Sequence, residues 1–291
     1  MAAEIRKAVI PAGGLGTRFL PVTKSVPKEL LPIGNRPTIQ IVLEEAVESG
    51  IEEIILITSP QKAHILDFFM RDTHYTRELE QRGKGELLGE LRELLECVRV
   101  IEVLQNEARG LGHAVFCAKE AVGDEPFVVI LPDVLIASRV PCCLQLMNAY
   151  EECGCSVSAT EHTPRERISL YGIYDVAHSE GRLHWARGVV EKPSPDKAPS
   201  DLSVVGRYLF SPEIFDELAK TKQDRSGEIQ LADAMNALAA KGRMAAFEYE
   251  GRQFDTGDPI GFLKANIYYS WNSAPKELTE FMNEMIRGTP Q

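Results

Sequence analysis

The sequence predicts an α/β fold with a largely parallel sheet and helices on both faces. Short apolar runs alternate with longer amphipathic stretches through the first half of the chain, which is the pattern of repeated β-α-β units. Two of these runs end in residues suited to ligand binding: a glycine-rich turn follows residues 8–10, and Asp133 follows residues 127–131. Because ligands collect at the carboxyl ends of strands in such sheets, we expect the functional site there.

The remaining elements follow from apolar periodicity. A helix is expected to begin near Pro37, with its apolar residues on one face and Gly50 just after its end. The other predicted elements of the first half are strands at 53–58, 98–104 and 127–131, and helices at 61–70, 75–96 (interrupted near 83–85) and 113–122. Beyond residue 155 the strand-like segments lie closer together, at 156–161, 171–176, 187–190 and 203–210, with helices at 212–220, 229–241, 260–270 and 274–287.

Composition and charge narrow the class of protein. The 291 residues are 44% apolar and 26% charged, as in an ordinary soluble globule, and no repeat or flexible linker divides them. We therefore expect a single domain over 1–291, with a first half at about 1–155 and a second at about 156–291. A net charge of −11 argues against nucleic-acid or anionic-membrane partners. No run resembles a signal peptide or a membrane span, so a cytoplasmic location is expected.

The six cysteines offer no clear metal site. The closest pairs are Cys142-Cys143 and Cys153-x-Cys155, but no repeated C-x-x-C and no well-spaced histidine accompany them. Reduced, mostly buried thiols are expected, and a zinc or redox site is the alternative.

The glycine-rich segment predicts a binding loop for a polyphosphate. Residues 8–32 read AVIPAGGLGTRFLPVTKSVPKELLP, with three glycines (Gly13, Gly14, Gly16) and three cations (Arg18, Lys24, Lys28). Glycines let backbone N–H groups approach an anion, and the prolines keep the segment from forming one plain helix. A dinucleotide fingerprint would need glycine at Phe19, and a P-loop would need lysine after Gly16. Neither pattern fits, and an ordinary glycine turn remains the alternative.

With these residues placed, the chain resembles the bacterial-type UTP–glucose-1-phosphate uridylyltransferases, which belong to the sugar-phosphate nucleotidyltransferases. The resemblance lies in eight blocks in the family's order: PAGGLGTRFLPVTKSVPKELLPIGNRPTIQ (11–40), ARGLGHAV (108–115), EPFVVILPDV (125–134), YGIYD (171–175), VVEKPSP (189–195), VVGRYLF (204–210), GEIQLADA (227–234) and FDTGDPIGFLKA (254–265). One departure is Gly13, where uridylyl members often carry alanine.

The resemblance implies a fold and a reaction. The family's fold is a doubly wound, Rossmann-like mixed sheet with a small added sugar-binding β subdomain, which makes the first half nucleotide-binding and the second half sugar-phosphate-binding. The reaction joins UTP and glucose 1-phosphate into UDP-glucose and pyrophosphate, and it relies on positioning and charge neutralisation. The family also tends toward dimers or tetramers, so a homodimer or homotetramer is expected.

The resemblance assigns roles on the nucleotide side. Residues 12–14 (Ala12, Gly13, Gly14) would meet the nucleotide, Arg18 would neutralise the departing pyrophosphate, and Lys28 would bind nucleotide phosphate. Glu29, Gln105 and Gly110 match positions that line the base pocket. Asp133 and Asp255 match the two aspartates that hold Mg²⁺. On local sequence alone, Gln105 would be a surface residue and each aspartate a turn or capping residue.

Four further positions would bind the sugar phosphate. Glu191 would accept hydrogen bonds from sugar hydroxyls, Lys192 would clamp the phosphate, and Gly172 and Gly206 would let the backbone approach the sugar ring. An adjacent Glu-Lys pair outside such a motif is usually a solvated surface pair. His113 could contact nucleotide phosphate, but a capping or packing role is equally compatible with its position.

Two other functions remain open from sequence. One is nucleotidyl transfer with another pairing, such as dTTP with glucose 1-phosphate. The other is a non-catalytic relative that binds a nucleotide sugar and modulates a partner. Retention of the five charged residues Arg18, Lys28, Asp133, Lys192 and Asp255 argues against the second.

Overall fold

The computed structural model describes residues 5–62, 64–271 and 274–288. Within these ranges the strands are β1 (Lys7–Pro11), β2 (Pro32–Ile33), β3 (Arg36–Pro37), β4 (Glu53–Thr58), β5 (Arg99–Leu104), β6 (Phe127–Ile130), β7 (Val134–Ala137), β8 (Ser156–His162), β9 (Gly172–Glu180), β10 (Leu183–Glu191), β11 (Leu202–Phe210), β12 (Met244–Glu248) and β13 (Arg252–Asp255). The α-helices are α1 (Thr38–Glu48), α2 (His64–Phe69), α3 (His74–Gln81), α4 (Gly89–Glu96), α5 (Gly110–Cys117), α6 (Lys119–Val122), α7 (Cys142–Cys153), α8 (Glu213–Lys220), α9 (Leu231–Ala240), α10 (Pro259–Trp271) and α11 (Pro275–Gly288).

Nine strands form one mixed sheet in the order β5-β4-β1-β6-β11-β8-β12-β10-β9. The first four strands run parallel to one another, as do β8 and β12, whereas the other neighbouring strands pair antiparallel. β9 also pairs with β11 at Ile173 and Ser203, so five strands close into a ring. The predicted α/β class is confirmed.

The expectation of a largely parallel sheet is wrong beyond β6. Parallel neighbours need long crossover connections, and the first half of the chain supplies them as helices. In the second half the connections are shorter: β9 and β10 are joined across Gly181, which has a φ of +58°. Such a tight turn returns the chain antiparallel to itself, so the Rossmann-like description does not extend to the ring.

The sheet is buried on both faces, as the apolar runs predict. In β1, Ala8 and Ile10 belong to one apolar cluster and Val9 to the other. Apolar residues of α1 and α7 pack in the first cluster, and those of α5, α8 and α9 in the second. Helices therefore cover both faces. Among the described residues, no helix combines the length and the apolar character needed to cross a lipid bilayer.

The boundaries of several elements differ from the predicted ones. The long charged segment splits into α3 and α4 around Gly83, whose φ of +69° breaks the helix as expected. The helix expected at 113–122 begins at Gly110 and divides into α5 and α6. β7 and β13 were not predicted, because each is short and its partner lies more than 100 residues away.

Four parallel strands deliver their following residues to the same edge of the sheet. Gly13 follows β1, Lys62 follows β4, Gln105 follows β5 and Asp133 follows β6. This edge holds the candidate site.

Candidate functional site

A cleft of about 500 Å³ lies at the carboxyl edge of the parallel strands. The predicted nucleotide-site residues that line it are Gly13, Gly14, Lys28, Gln105, Gly110 and Asp133. These residues come from four separate segments of the chain, so the structure brings together most of the predicted nucleotide-binding residues and one of the two predicted metal ligands.

The glycine-rich segment forms a shaped loop, as its prolines predict. Three short 3-10 turns cover Thr17–Phe19, Val22–Lys24 and Lys28–Leu30. Gly16 adopts a φ of +65°, and a Cβ there would lie 3.1 Å from Thr23 Cγ2. Thr23 Oγ1 donates to the Gly16 carbonyl at 2.8 Å and fixes the turn.

The three cations of this loop have different surroundings. Lys28 Nζ lies 2.5 Å from Asp133 Oδ2. Burial disfavours the charged ammonium, but Asp133 and Glu29 outweigh it and raise the pKa of Lys28. Arg18 donates weakly to the Gly257 carbonyl at 3.4 Å, and Lys24 is exposed.

A buried ion pair lies beneath the loop. Lys62 Nζ donates to both carboxylate oxygens of Glu29 at 2.9 Å and to the Ala12 carbonyl at 2.8 Å. Burial raises the pKa of Glu29 and lowers that of Lys62, and each partner opposes the shift of the other. Glu29 is only 1% exposed and Ala12 is fully buried. The structure therefore buries beneath the loop both Glu29, which was expected to line the base pocket, and Ala12, which was expected to meet the nucleotide.

Lys62 is a residue that sequence analysis missed. It is one lysine among many, and its position just after β4 is the only sequence signal that separates it from surface lysines.

Gln105 and Gly110 meet at the far wall of the cleft. Gln105 Nε2 donates to the Gly110 carbonyl at 3.2 Å and lies 3.0 Å from His113 Nδ1. Gly110 has a φ of +87° and opens α5, where a Cβ would lie 2.9 Å from Glu228 Cβ. Only glycine tolerates both the backbone angle and this contact.

Asp133 and Asp255 are neighbours, although 121 residues separate them in sequence. Val134 pairs with Asp255 across β7 and β13, and Thr256 donates twice to the Asp133 carbonyl, at 2.8 and 3.0 Å. A Cβ on Gly257 would lie 3.0 Å from Asp255 Oδ1 and 3.2 Å from Asp133 Oδ2, so both carboxylates border this glycine.

The electrostatics of this pair favour a cation. Burial raises the pKa of Asp255, and the charges of Asp133 and Asp258 raise it further. A divalent cation held by these two carboxylates would relieve that repulsion. Across residues 5–62, 64–271 and 274–288, no group of three or more His, Cys, Asp or Glu side chains converges on a metal-sized site.

A second buried ion pair lies next to the segment of chain that leads to Asp133. Arg207, which is fully buried in β11, pairs with Glu45 at 2.8 Å and donates to the carbonyls of Leu131 and Gly206. These bonds hold the segment that ends in Asp133. Sequence analysis missed Arg207, although an arginine inside the apolar run VVGRYLF is itself a signal of a buried partner.

The structure shows a packing reason for glycine at position 206, whereas its contact with a sugar stays a prediction. A Cβ at this position would lie 2.9 Å from Val134 Cγ2 and 3.0 Å from Leu131 Cβ. Gly206 therefore allows the 131–134 segment to pack against β11.

The other three predicted sugar residues line a second cleft, of about 240 Å³. Gly172 pairs with Glu191 across β9 and β10, and a Cβ on Gly172 would lie 3.2 Å from Glu191 Oε2. Lys192 has a φ of +45° and pairs with Glu191 at 3.2 Å. Leu111 lines both clefts, so the two are adjacent.

Comparison with known proteins identifies relatives along nearly the whole chain. The model of the nucleotidyl transferase family matches residues 7–270. A UTP--glucose-1-phosphate uridylyltransferase of Bacillus subtilis (strain 168) is 42% identical over 285 residues, covering 98% of this chain and 97% of the relative. A counterpart from Staphylococcus haemolyticus (strain JCSC1435) is also 42% identical, covering 97% of this chain and 99% of its own.

Solved structures agree with these relatives. The UTP-bound UGPase from Acinetobacter baumannii superposes with a TM-score of 0.88 at 40% identity, covering 98% of this chain and all of the other. A UDP-glucose pyrophosphorylase complexed with UDP-glucose gives a TM-score of 0.83 at 37% identity, covering 91% and 98%. The resemblance stated from sequence motifs is confirmed, and the chain belongs to the nucleotidyl transferase family.

Proposed function

We propose that this protein transfers the uridylyl group of UTP to glucose 1-phosphate, forming UDP-glucose and releasing pyrophosphate. The proposal rests on one cleft that joins the glycine loop, Lys28 and Asp133, with Asp255 beside Asp133 at Gly257. A second cleft bearing Glu191 and Lys192 adjoins it. The names of the relatives, and the UTP and UDP-glucose in the two solved neighbours, support the same activity.

The reaction needs charge neutralisation more than proton transfer. A phosphate oxygen of glucose 1-phosphate attacks the α-phosphorus, and the bond to the β-phosphate oxygen breaks as pyrophosphate leaves. The attacking oxygen is already anionic near neutral pH, so no general base is required. Positive groups must instead hold two polyanions together. Lys28 and Arg18 supply such groups on the nucleotide side, and Lys192 supplies one on the sugar side.

We assign Mg²⁺ to Asp133 and Asp255. The charge of Asp133 contributes to the raised pKa of Asp255, and a divalent ion would offset this repulsion between the two carboxylates. When bound, the ion would neutralise phosphate charge and orient the nucleotide. The protein's own contribution is to hold the carboxylates ready. Thr256 bonds the backbone of Asp133, and the Gly257 N–H donates to Asp255 at 2.9 Å.

The remaining assignments concern recognition. We assign the backbone N–H groups of Gly13 and Gly14 to the nucleotide, and Gln105 and Gly110 to its base; their shared place in the first cleft supports this. Glu191 would accept from sugar hydroxyls, with Gly172 keeping space beside it.

We also propose that residues 1–291 act as a single catalytic domain, with the nucleotide site in the first half and the sugar site in the second, in a cytoplasmic homodimer or homotetramer. The two clefts share Leu111, which supports one catalytic unit. Phe281 and Ile286 are exposed on α11 and offer an apolar surface for subunit contact. Light scattering of the purified protein would test the oligomer, and a monomer would contradict it.

A substrate matrix tests the proposed activity. Pyrophosphate release is measured with UTP, dTTP and CTP, each paired with glucose 1-phosphate and with other hexose 1-phosphates, at fixed Mg²⁺. UTP with glucose 1-phosphate should give the highest rate and yield UDP-glucose. Faster turnover of dTTP would replace the uridylyl assignment, and no pyrophosphate from any pair would favour a non-catalytic nucleotide-sugar binder.

A further inference from the structure

We propose that His113 is a positioning residue that sets base specificity through Gln105. By accepting a hydrogen bond from the Gln105 amide, it turns the Gln105 carbonyl oxygen toward the cleft and keeps it there. The site then accepts a base that offers a ring N–H at that oxygen and rejects one that offers a lone pair. This inference rests on the proposed function, because it concerns how that site selects its nucleotide.

The hydrogen bonds around Gln105 fix which end of its amide faces the cleft. The Gly110 carbonyl can only accept, so the atom 3.2 Å from it must be the Gln105 nitrogen. His113 Nδ1 lies 3.0 Å from the same nitrogen. An amide nitrogen carries two hydrogens, and these two partners use both of them. Gln105 therefore has no N–H left to offer a ligand.

The second of these bonds requires one form of the imidazole. Because Nδ1 accepts from Gln105, the proton of neutral His113 lies on Nε2, which faces Cys117 Sγ at 3.8 Å. Burial and the charge of Arg109 lower the pKa of His113, and Glu107 acts in the opposite direction. The surroundings thus favour the neutral ring, which is the form that can accept.

The Gln105 oxygen is left as the ligand-facing atom. A Cβ built on Gly13 would lie 2.9 Å from Oε1, so this oxygen packs against the glycine loop at the wall of the cleft. Oε1 accepts no hydrogen bond within residues 5–62, 64–271 and 274–288. Gln105 is 7% exposed as a residue, and its Oε1 is not among the fully buried unpartnered side-chain atoms of the described residues, so this oxygen is accessible from the cleft. Once a bound base covers it, such an acceptor is stabilised by a donor and disfavours another acceptor.

The chemistry of the pyrimidines gives the predicted selection. Uracil presents an N3–H on its pairing edge, which can donate to Oε1. Cytosine presents a bare N3 lone pair at the same place, so two acceptors would face each other. Sites that pair a buried polar group reject a ligand lacking the partner more strongly than apolar pockets reject an extra methyl group. Thymine also has an N3–H. The hydrogen bond to Oε1 therefore discriminates against CTP but not against dTTP, which other contacts must exclude.

The test compares UTP and CTP in a set of His113 variants. In His113→Leu the Gln105 amide loses one partner and can rotate, so kcat/KM for UTP should fall about tenfold while that for CTP does not fall. The change should appear mainly in KM. His113→Asn offers an oxygen near the position of Nδ1 and should restore most of the UTP/CTP ratio. His74→Ala, at an exposed histidine, is the matched control and should leave the ratio unchanged.

Several outcomes would overturn the inference without touching the proposed function. An unchanged UTP/CTP ratio in folded His113→Leu would do so, as would equal loss for both nucleotides or failure of His113→Asn to recover the ratio. A second probe needs no variant: N3-methyl-UTP lacks the N3–H and should be a poor substrate of the unmodified protein. Equal use of UTP and N3-methyl-UTP would reject the inference. Absence of turnover with UTP itself would instead reject the proposed function.

Discussion

The two clefts present their charged groups in opposite ways. On the nucleotide side, Lys28 and Asp133 are bonded to each other with side chains only 17% and 30% exposed, and Lys62 and Glu29 are almost fully buried. On the sugar side, Lys192 is 62% exposed and is paired with its neighbour in sequence, Glu191, which is 48% exposed. One set of charges is held in place before any substrate arrives. The other is open to water.

This difference shows that the fold fixes the charged side chains of the nucleotide cleft more firmly than those of the sugar cleft. Partly buried charges with several partners keep one geometry, so the nucleotide side is arranged in advance. An exposed ion pair contributes little, and its side chains keep much of their freedom. Lys192 is nevertheless held by its backbone. It is the one residue other than glycine with a positive φ among those described, and its N–H donates to Tyr171 at 3.0 Å.

The largest effect is expected from Asp133→Asn, which removes one charge from the pre-arranged side. Turnover should fall about 10³-fold, because the aspartate pair loses half of its charge for the metal while Lys28 loses its partner. The melting temperature should change little, since Asp133 is partly exposed. Initial rates across a range of Mg²⁺ concentrations measure the effect.

Asp196→Asn is the matched control, because this aspartate is exposed in the 193–199 loop and forms a surface ion pair with Arg165. It should retain normal rates at every Mg²⁺ concentration. A normal rate of Asp133→Asn at limiting Mg²⁺ would remove Asp133 from the metal site and weaken the contrast between the two clefts.

The next effect concerns the support beneath the glycine loop. Lys62→Met leaves the carboxylate of Glu29 buried without its cation, which should lower the free energy of unfolding by about 3 kcal/mol. KM for UTP should rise in the fraction that remains folded, because the Ala12 carbonyl also loses its donor. Urea denaturation and steady-state kinetics give the two quantities.

The double variant Lys62→Met, Glu29→Gln separates burial of a charge from loss of the whole pair. It should recover much of the stability, since no uncompensated charge remains. Lys119→Met, at a half-exposed lysine in a long surface pair, is the control and should cost little. Equal stability of Lys62→Met and Lys119→Met would show that the buried pair does not organise the loop.

The predicted parallel sheet gave Asp133 its place at the end of a strand, where ligands collect. Lys28, in a 3-10 turn, and Gln105, just after β5, could be assigned only through the family motifs. Asp255 required the family motif, since its approach to Asp133 depends on the pairing of β7 with β13.

What the sequence could not supply was the direction of individual side chains. Glu29 lies next to Lys28 in the same motif, yet the 3-10 turn aims one side chain into the cleft and buries the other against Lys62. Gly206 is likewise set by which segment packs on β11. Closure of the five-stranded ring depends on a contact between Ile173 and Ser203, which no local pattern encodes. These features arise from long-range packing.

The central claim is that one cleft binds the nucleotide and the other binds the sugar phosphate. Lys192→Ala tests this claim most directly. Michaelis constants for both substrates should be measured in this variant and in Lys197→Ala, an exposed control on the neighbouring loop. Removing the clamp should raise KM for glucose 1-phosphate about tenfold while KM for UTP stays within about twofold. Equal increases for both substrates, or an increase confined to UTP, would contradict this claim.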